Sequence, residues 1–353
     1  MMGWTVEPKV KVSIVMPVYN AVKYVDAAIK SIIDQSYRNF ELIIIDDGAT
    51  DGTGEICQSY AKKYENIVYI KQKNDGTCSA RNRGISLAKG EYIAFLDHDD
   101  EYLKNYLEIM IGLIENENAD IVKCGVYIED EYANGTSSAK VELFSPKVVS
   151  RQELLNEYNR LPSSYFNIWN TLYRIDILRK NKLHFPLNMR YGQEDYYFNT
   201  EIIPYINKIG FVGECLYRHY RRMCQSTSSK FYIDRIDAMS SYFKKEIDVL
   251  KPYISSEKWE IEYAILYARK ITGILSYCFC TIFEDLENKY YEIVKKFINS
   301  NPFELRVNLK LMKNLVLTSP KYAMVLYLTI KNHHQILFYL WKTKKNLMIT
   351  CGF

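Results

Sequence analysis

Short apolar runs and helical stripes alternate along the first 125 residues. Residues 12–16 (VSIVM) are apolar and end at Pro17, which reads as a buried strand. Over 22–35, Val22, Val25, Ala28, Ile29, Ile32 and Ile33 recur at helical spacing. Residues 42–45 predict a second buried strand, stopped by Asp46-Asp47-Gly48. A helix then runs to about Tyr64, with Thr50 or Asp51 as its N-cap. Further strands are expected at 67–70, 92–96 and 121–127, with helices at 78–89, capped by Gly90, and at 101–117. This alternation predicts an α/β fold with a mostly parallel central sheet covered by helices on both faces. Such sheets bind ligands beyond the carboxyl ends of their strands. The polar clusters Tyr19-Asn20, Asp46-Asp47, Asn74-Asp75 and Asp97-His98-Asp99-Asp100 are therefore expected along one edge.

Beyond residue 130 the pattern changes. Residues 134–138 read as a loop or hairpin, and 150–158, 174–181 and 194–206 as helices. Residues 231–300 form a long helical region, and 303–346 are mainly helical with a break at Ser319-Pro320. No apolar run reaches the roughly 18 residues of a membrane span, and the N-terminus lacks the features of a signal peptide.

Composition changes this picture little, but charge placement adds to it. Apolar residues make up 48% and charged residues 25%, an ordinary globular balance. The eight Cys form no CxxC pair and read as reduced thiols of a cytoplasmic protein. Residues 301–353 carry eight Lys/Arg against Glu304 alone, a charge of +7, while the rest of the chain is −3. Within that tail, residues 322–330 and 336–341 are apolar and flanked by Lys342, Lys344 and Lys345. Two readings stay open. One is an interfacial helix on an anionic membrane, which would put the protein at the inner face of the plasma membrane. The other is a helical subdomain packed on the body or on a second subunit of a homo-oligomer. Nucleic acid is not expected, because the crevice is acidic.

The acids suggest chemistry. Asp97, Asp99 and Asp100 crowd a strand end and repel one another unless a cation or donor offsets them. They suit Mn²⁺ or Mg²⁺ bridging a diphosphate, or equally an acidic helix cap. Asp47 at a strand end could accept from a ribose or base, or simply make a turn. Arg81 could reach a nucleotide or an acidic strand end. Glu194 and Asp195 could cap a helix, or Asp195 could act as a general base. His219 could ligate a metal or be structural; Arg218, Arg221 and Arg222 could hold phosphates or form a solvated face. No GxGxxG follows the first strand and no GxxxxGK[ST] occurs, which disfavours nicotinamide and P-loop chemistry.

In their order, these motifs resemble family 2 glycosyltransferases of the GT-A fold, the type that builds bacterial polysaccharides. The matching stretches are VSIVMPVYN (12–20), SIIDQS (31–36), FELIIIDDG (40–48), TDGT (50–53), NDG (74–76), ARNRG (80–84), GEYIAFLDHDD (90–100), WNTLYR (169–174) and Glu194-Asp195. They span about residues 10–230. The resemblance implies a catalytic domain at 1–230, with a nucleotide half at 10–127 and an acceptor half at 128–230, followed by a helical region at 231–353. It implies transfer, with inversion, of a sugar from a nucleotide-sugar, by default a UDP-sugar, to a hydroxyl of a glycan or lipid-linked acceptor. By resemblance, Pro17, Tyr19, Asn20, Asp47, Asp75, Arg81, Asp97 and His98 would line the nucleotide-sugar site. Asp99 and Asp97, the DXD pair, would hold Mn²⁺ or Mg²⁺ with His219. Asp195 would be the base, and Trp169 and Glu194 would shape the acceptor side. His98 and Ala49 stand where the family usually has Ser; the His98 side chain is expected to face away. The rival readings are a sugar nucleotidyltransferase, which would need a Gly-rich triphosphate loop that PVYN (17–20) does not offer, and an inactive nucleotide-binding scaffold.

Overall fold

The computed structural model describes residues 10–132, 136–190, 192–222, 232, 234–280, 286–300 and 309–331. The first elements follow the apolar pattern: β1 (Val12–Val18), α1 (Val25–Ile33), β2 (Phe40–Asp46), α2 (Thr53–Lys63), β3 (Ile67–Lys71), α3 (Thr77–Leu87) and β4 (Tyr92–Phe95). The four strands pair in parallel in the order β3-β2-β1-β4. All residues of β1, β2 and β4 are buried, which is why these strands lack polar alternation. Helix α3 crosses β1 closely: a Cβ added to Gly84 would stand 2.2 Å from Val15 Cγ1. Gly90 does not cap α3, which ends at Leu87; the space its side chain would need is taken by the Ser13 backbone.

The remainder of this unit holds β5 (Glu101–Tyr102), α4 (Tyr106–Asn116), β6 (Ile121–Glu131), β7 (Ser137–Glu142), β8 (Lys147–Ser150), α5 (Arg151–Asn156), β9 (Thr171–Arg174), α6 (Ile175–Lys180), α7 (Glu194–Glu201) and β10 (Lys208–Arg222). The sheet continues from β4 through β9, β6 and β10 to β5, with β7 on β6 and β8 on β10. Strand β9 runs antiparallel between β4 and β6, so the sheet is mostly parallel rather than wholly so. The helix expected at 101–117 starts only at Tyr106, because Glu101 and Tyr102 pair with Arg218 and Tyr217 of β10. The helix expected at 194–206 stops at Glu201; Pro204, which has no N–H to donate, sits in a separate 3₁₀ turn.

The chain divides into two compact units. The first takes the described residues up to Asn156, Leu161–Arg190 and those from Glu194 to Arg222; the second takes Glu157–Arg160, residues 192–193 and those from Tyr232 onward. The second unit is helical: α8 (Asp234–Leu250), α9 (Ser256–Cys280), α10 (Leu286–Ser300), α11 (Leu309–Thr318) and α12 (Pro320–Ile330). The expected break falls between the last two, with Pro320 at the first helical position, where its missing N–H costs nothing. Phe243 packs with Tyr263, Tyr267 and Phe297 in its core. There the buried Glu246 carboxylate pairs with Lys270 and accepts from the hydroxyls of Tyr158 and Tyr242. Val316, Leu317, Met324 and Tyr327 of α11 and α12 are exposed. The apolar stretch at 336–341 and Lys342, Lys344 and Lys345 lie outside the described residues. Among the described residues, no helix is long and apolar enough to cross a membrane.

Candidate active site

The carboxyl ends of β1 to β4 meet along one edge, as the strand order requires. The Asp47 amide donates to Val18 O (2.9 Å), Gln72 N to Asp46 O (2.8 Å) and Leu96 N to Val15 O (3.1 Å). Gly48 takes a left-handed backbone (φ +82°), and a side chain there would meet the Asn74 amide. Asn20 is also left-handed (φ +46°), and its Oδ1 accepts the Thr50 amide at 2.9 Å. Asp51 closes the turn before α2, accepting the amides of Val22 and Thr53 at 3.1 Å.

Asp47 is buried and shapes the adjoining loop. Its Oδ1 accepts from the Gln72 side chain (2.8 Å) and the Asp75 amide (2.9 Å), and its Oδ2 from the Gly76 amide (2.8 Å). The Asp75 carboxylate is exposed, 3.6 Å from the Arg190 guanidinium. Tyr19 stands exposed at the end of β1. The His98 ring does not turn away: Nδ1 lies 3.2 Å from the carbonyl oxygen of Pro17, linking the ends of β1 and β4.

Arg81 draws the distant acids together. It lies on α3 with its side chain only 3% exposed. One amino group donates to Asp97 Oδ1 at 2.9 Å; the other donates to Glu194 Oε1 at 3.1 Å and Asp195 Oδ1 at 3.0 Å. A single cation therefore holds one acid from the β4 end and two from the start of α7. Burial pushes the Asp195 carboxyl up, to about 8; Arg81 opposes this, while Glu194 and Asp97 reinforce it.

The other two acids of the β4 end have different partners. Asp99 Oδ2 accepts from Arg222 at 3.0 Å, and Arg222 lies over the Tyr24 ring at 3.8 Å. Asp100 is not a helix cap. Its buried carboxylate accepts from Tyr217 Oη (2.8 Å), the Tyr220 amide (2.9 Å) and His219 Nδ1 (2.9 Å). This fixes the His219 tautomer and leaves Nε2 as the open nitrogen. Burial works against a charged His219, but Asp100, with Asp97 and Asp99, outweighs it and the ring's pKa is raised. Trp169 is largely buried and stacks on both Tyr217 (4.4 Å) and His219 (5.0 Å). Arg218 pairs with Glu101 and Glu129, and Arg221 with Asp130, so of these three arginines Arg222 alone pairs with an acid of the 97–100 cluster among the described residues.

Asp97, Asp99 and Asp195 fall in one unit with the nucleotide-side clusters, on a parallel sheet edge. The family model for glycosyl transferase family 2 matches residues 13–181. The chain is 31% identical over 244 residues to glycosyltransferase GlyG of Streptococcus pneumoniae serotype 4, covering 67% of this chain and 79% of GlyG. The chain belongs to glycosyl transferase family 2. Its GT-A fold is shared with proteins of known structure, two among them being these. The first is S. aureus TarS 1–349 in complex with UDP-GlcNAc, with TM-score 0.64, 18% identity, and coverage of 91% of this chain and 92% of that one. The second is the mannosyltransferase PcManGT from Pyrobaculum calidifontis in complex with GDP-Man and Mn²⁺, with TM-score 0.52, 15% identity, and coverage of 92% and 89%. This family 2 glycosyltransferase is thus an enzyme built on an α/β sheet with a helical C-terminal region.

One part of its site escapes the sequence reading. The Asp100 cluster needs β10, whose charged and glycine-broken sequence hides a strand.

Proposed function

We propose that this enzyme transfers a sugar, with inversion, from a UDP-sugar to a hydroxyl of a glycan or lipid-linked acceptor. One observation carries the reading: Arg81 gathers Asp97 and Asp195 on one guanidinium, so the acids of a leaving-group site and a base lie together. A scaffold without chemistry gives no reason for that arrangement.

Among the described residues no three Asp, Glu, His or Cys side chains are grouped to hold a metal ion, so a divalent cation would rest on two carboxylates and a bound diphosphate. Asp97 Oδ1 and Asp99 Oδ2 are engaged by arginines, which leaves each carboxylate a second oxygen. Burial raises the Asp99 carboxyl, and Asp100 and Asp97 add to this, a crowding that a cation relieves. Carboxylate and phosphate oxygens suit Mn²⁺ or Mg²⁺. Asp99 and Asp97 would hold the ion together with the diphosphate; His219, bound to Asp100, is not grouped with them as a third ligand. When bound, the cation would neutralise charge on the departing diphosphate.

The chain's own groups account for the rest. Tyr19 offers a ring face to the nucleoside, and the loop that Asp47 fixes, with Pro17, Asn20, Asp75 and His98, lines that pocket. Asp195 removes the proton from the acceptor hydroxyl as its oxygen attacks the anomeric carbon. The new C–O bond forms on the face opposite the diphosphate, whose own C–O bond breaks. Trp169 and Glu194 border the acceptor side, and Arg81 keeps Asp195 aimed.

Release of the corresponding nucleoside diphosphate from a panel of UDP-, GDP- and dTDP-sugars with Mn²⁺ tests this reading. UDP-sugar turnover that EDTA abolishes and Mn²⁺ restores is the expected result. Full turnover in metal-free enzyme would remove the cation role from Asp97 and Asp99. No release from any nucleotide-sugar would favour the scaffold reading.

A further inference from the structure

Helices α11 and α12 pack on α9 and on each other. Their buried positions are apolar, with Leu311 and Leu315 on α11 and Ala323 and Leu326 on α12. That stripe is what an amphipathic helix needs to hold its place. The outward positions break the usual pattern. Val316, Leu317, Met324 and Tyr327 are between 45% and 74% exposed. Apolar side chains left in water add nothing to the fold, and four on two neighbouring helices are more than scattered exposure. The other exposed positions include Lys310, Lys313 and Lys321, and Lys331 just past the end of α12. No Asp or Glu occurs from residue 305 to residue 353, so neither helix carries an acid to answer these lysines.

The kind of charge selects the partner. All four cations are lysines, each a compact, hydrated ammonium on a flexible apolar stem. Such a stem lies along an apolar surface while its head stays in water. That combination suits a diffuse anionic plane. It suits a protein interface poorly, because lysine is depleted there. A second copy of this chain fits worse still. A two-fold contact would set the patch against itself, lysines facing lysines with no acid on either helix. Tyr327 adds a ring with an apolar body and a polar tip, a side chain favoured at the membrane–water boundary. We propose that the exposed face of α11 and α12 docks on an anionic lipid bilayer, its four apolar side chains entering the headgroup layer and its lysines held by the lipid charge. With 10 and 11 residues, each helix is too short to cross the hydrocarbon core, so the contact is with one leaflet. This surface goes beyond the transfer reaction. Only its use, which is to concentrate the enzyme where a lipid-linked acceptor lies, rests on that reading.

Flotation of the full chain with lipid vesicles tests the proposal. At about 0.1 M salt the protein should float with phosphatidylcholine vesicles that contain about 30% phosphatidylglycerol, and stay behind with pure phosphatidylcholine. Raising the salt to about 0.5 M should weaken the binding, because the attraction acts within a Debye length. Lys310→Gln, Lys313→Gln, Lys321→Gln and Lys331→Gln should each lower partitioning by roughly fivefold, the usual effect of one basic residue near an anionic surface. Leu317→Ser combined with Tyr327→Ser should lower it by about tenfold or more. All these side chains are exposed, so the variants should keep the wild-type Tm. The lysine series carries the test alone if the apolar variant does not fold. Equal flotation with both lipids, wild-type binding in the variants, or no flotation at all overturns the proposal. A dimer in sedimentation velocity that the same replacements break, without flotation, would assign the face to a second copy instead. Flotation needs no turnover, so a failed transfer assay would defeat the proposed reaction and leave this surface standing.

Discussion

Asp195→Asn is expected to lower sugar transfer by roughly 10²–10⁴-fold, the usual contribution of a positioned general base, while UDP affinity stays close to wild type. The amide keeps the shape of the carboxylate and its oxygen can still accept from Arg81, but it cannot take the acceptor's proton. The sign of the pH dependence follows from the site. Burial raises the Asp195 carboxyl, so wild-type transfer should fall as pH drops through a midpoint well above the ordinary carboxylate range. Rates at saturating UDP-sugar over pH 5–9, with calorimetry of UDP binding, measure both. Transfer within a few-fold of wild type in the variant would take the proton-accepting role away from Asp195.

Arg81→Met should be the most destabilising single change at the site. It leaves Asp97, Glu194 and Asp195 facing one another, each at most 28% exposed, with no guanidinium between them. Removing one partner of a buried ionic cluster costs about 3–5 kcal/mol. The penalty should grow with pH. Losing the cation raises the pKa of Asp195 further above its unfolded value. The folded variant then holds more protons than the unfolded chain, and stability falls as pH rises through that window. Urea unfolding at pH 5.5 and pH 8 should show the larger loss at pH 8. An equal loss at both values would mean that Arg81 supports the fold by packing rather than by charge.

The apolar runs reveal β1 to β4 because those strands are short, parallel and buried on both faces, so no polar residue interrupts them. Strand β9 has only four residues, wedged between a 3₁₀ turn and α6, too few to establish a period. Strand β10 carries Gly210, Gly213 and three arginines near its end, and the ion pairs that make this tolerable come from β5 and β6, distant in sequence. The same holds within the site. Asp97, Asp99 and Asp195 stand out because acids at strand and helix ends are conspicuous. Arg81 could be placed near them, but not as their shared partner, since Asp97 and Glu194 lie 16 and 113 residues away. From the sequence Asp100 reads equally as a metal-side acid or as part of a helix cap, because the strand that claims it is hidden there. The inward turn of His98 toward Pro17 depends on β4 lying beside β1, a fact of register rather than of motif.

Crystals grown with UDP and Mn²⁺ and measured at the manganese absorption edge test the central claim most directly. The account predicts an anomalous peak within ligand distance of Asp99, on the diphosphate, with the Asp195 carboxylate lining the same cavity across from it. A diphosphate bound away from residues 97–99, or a cavity that Asp195 does not enter, would contradict it.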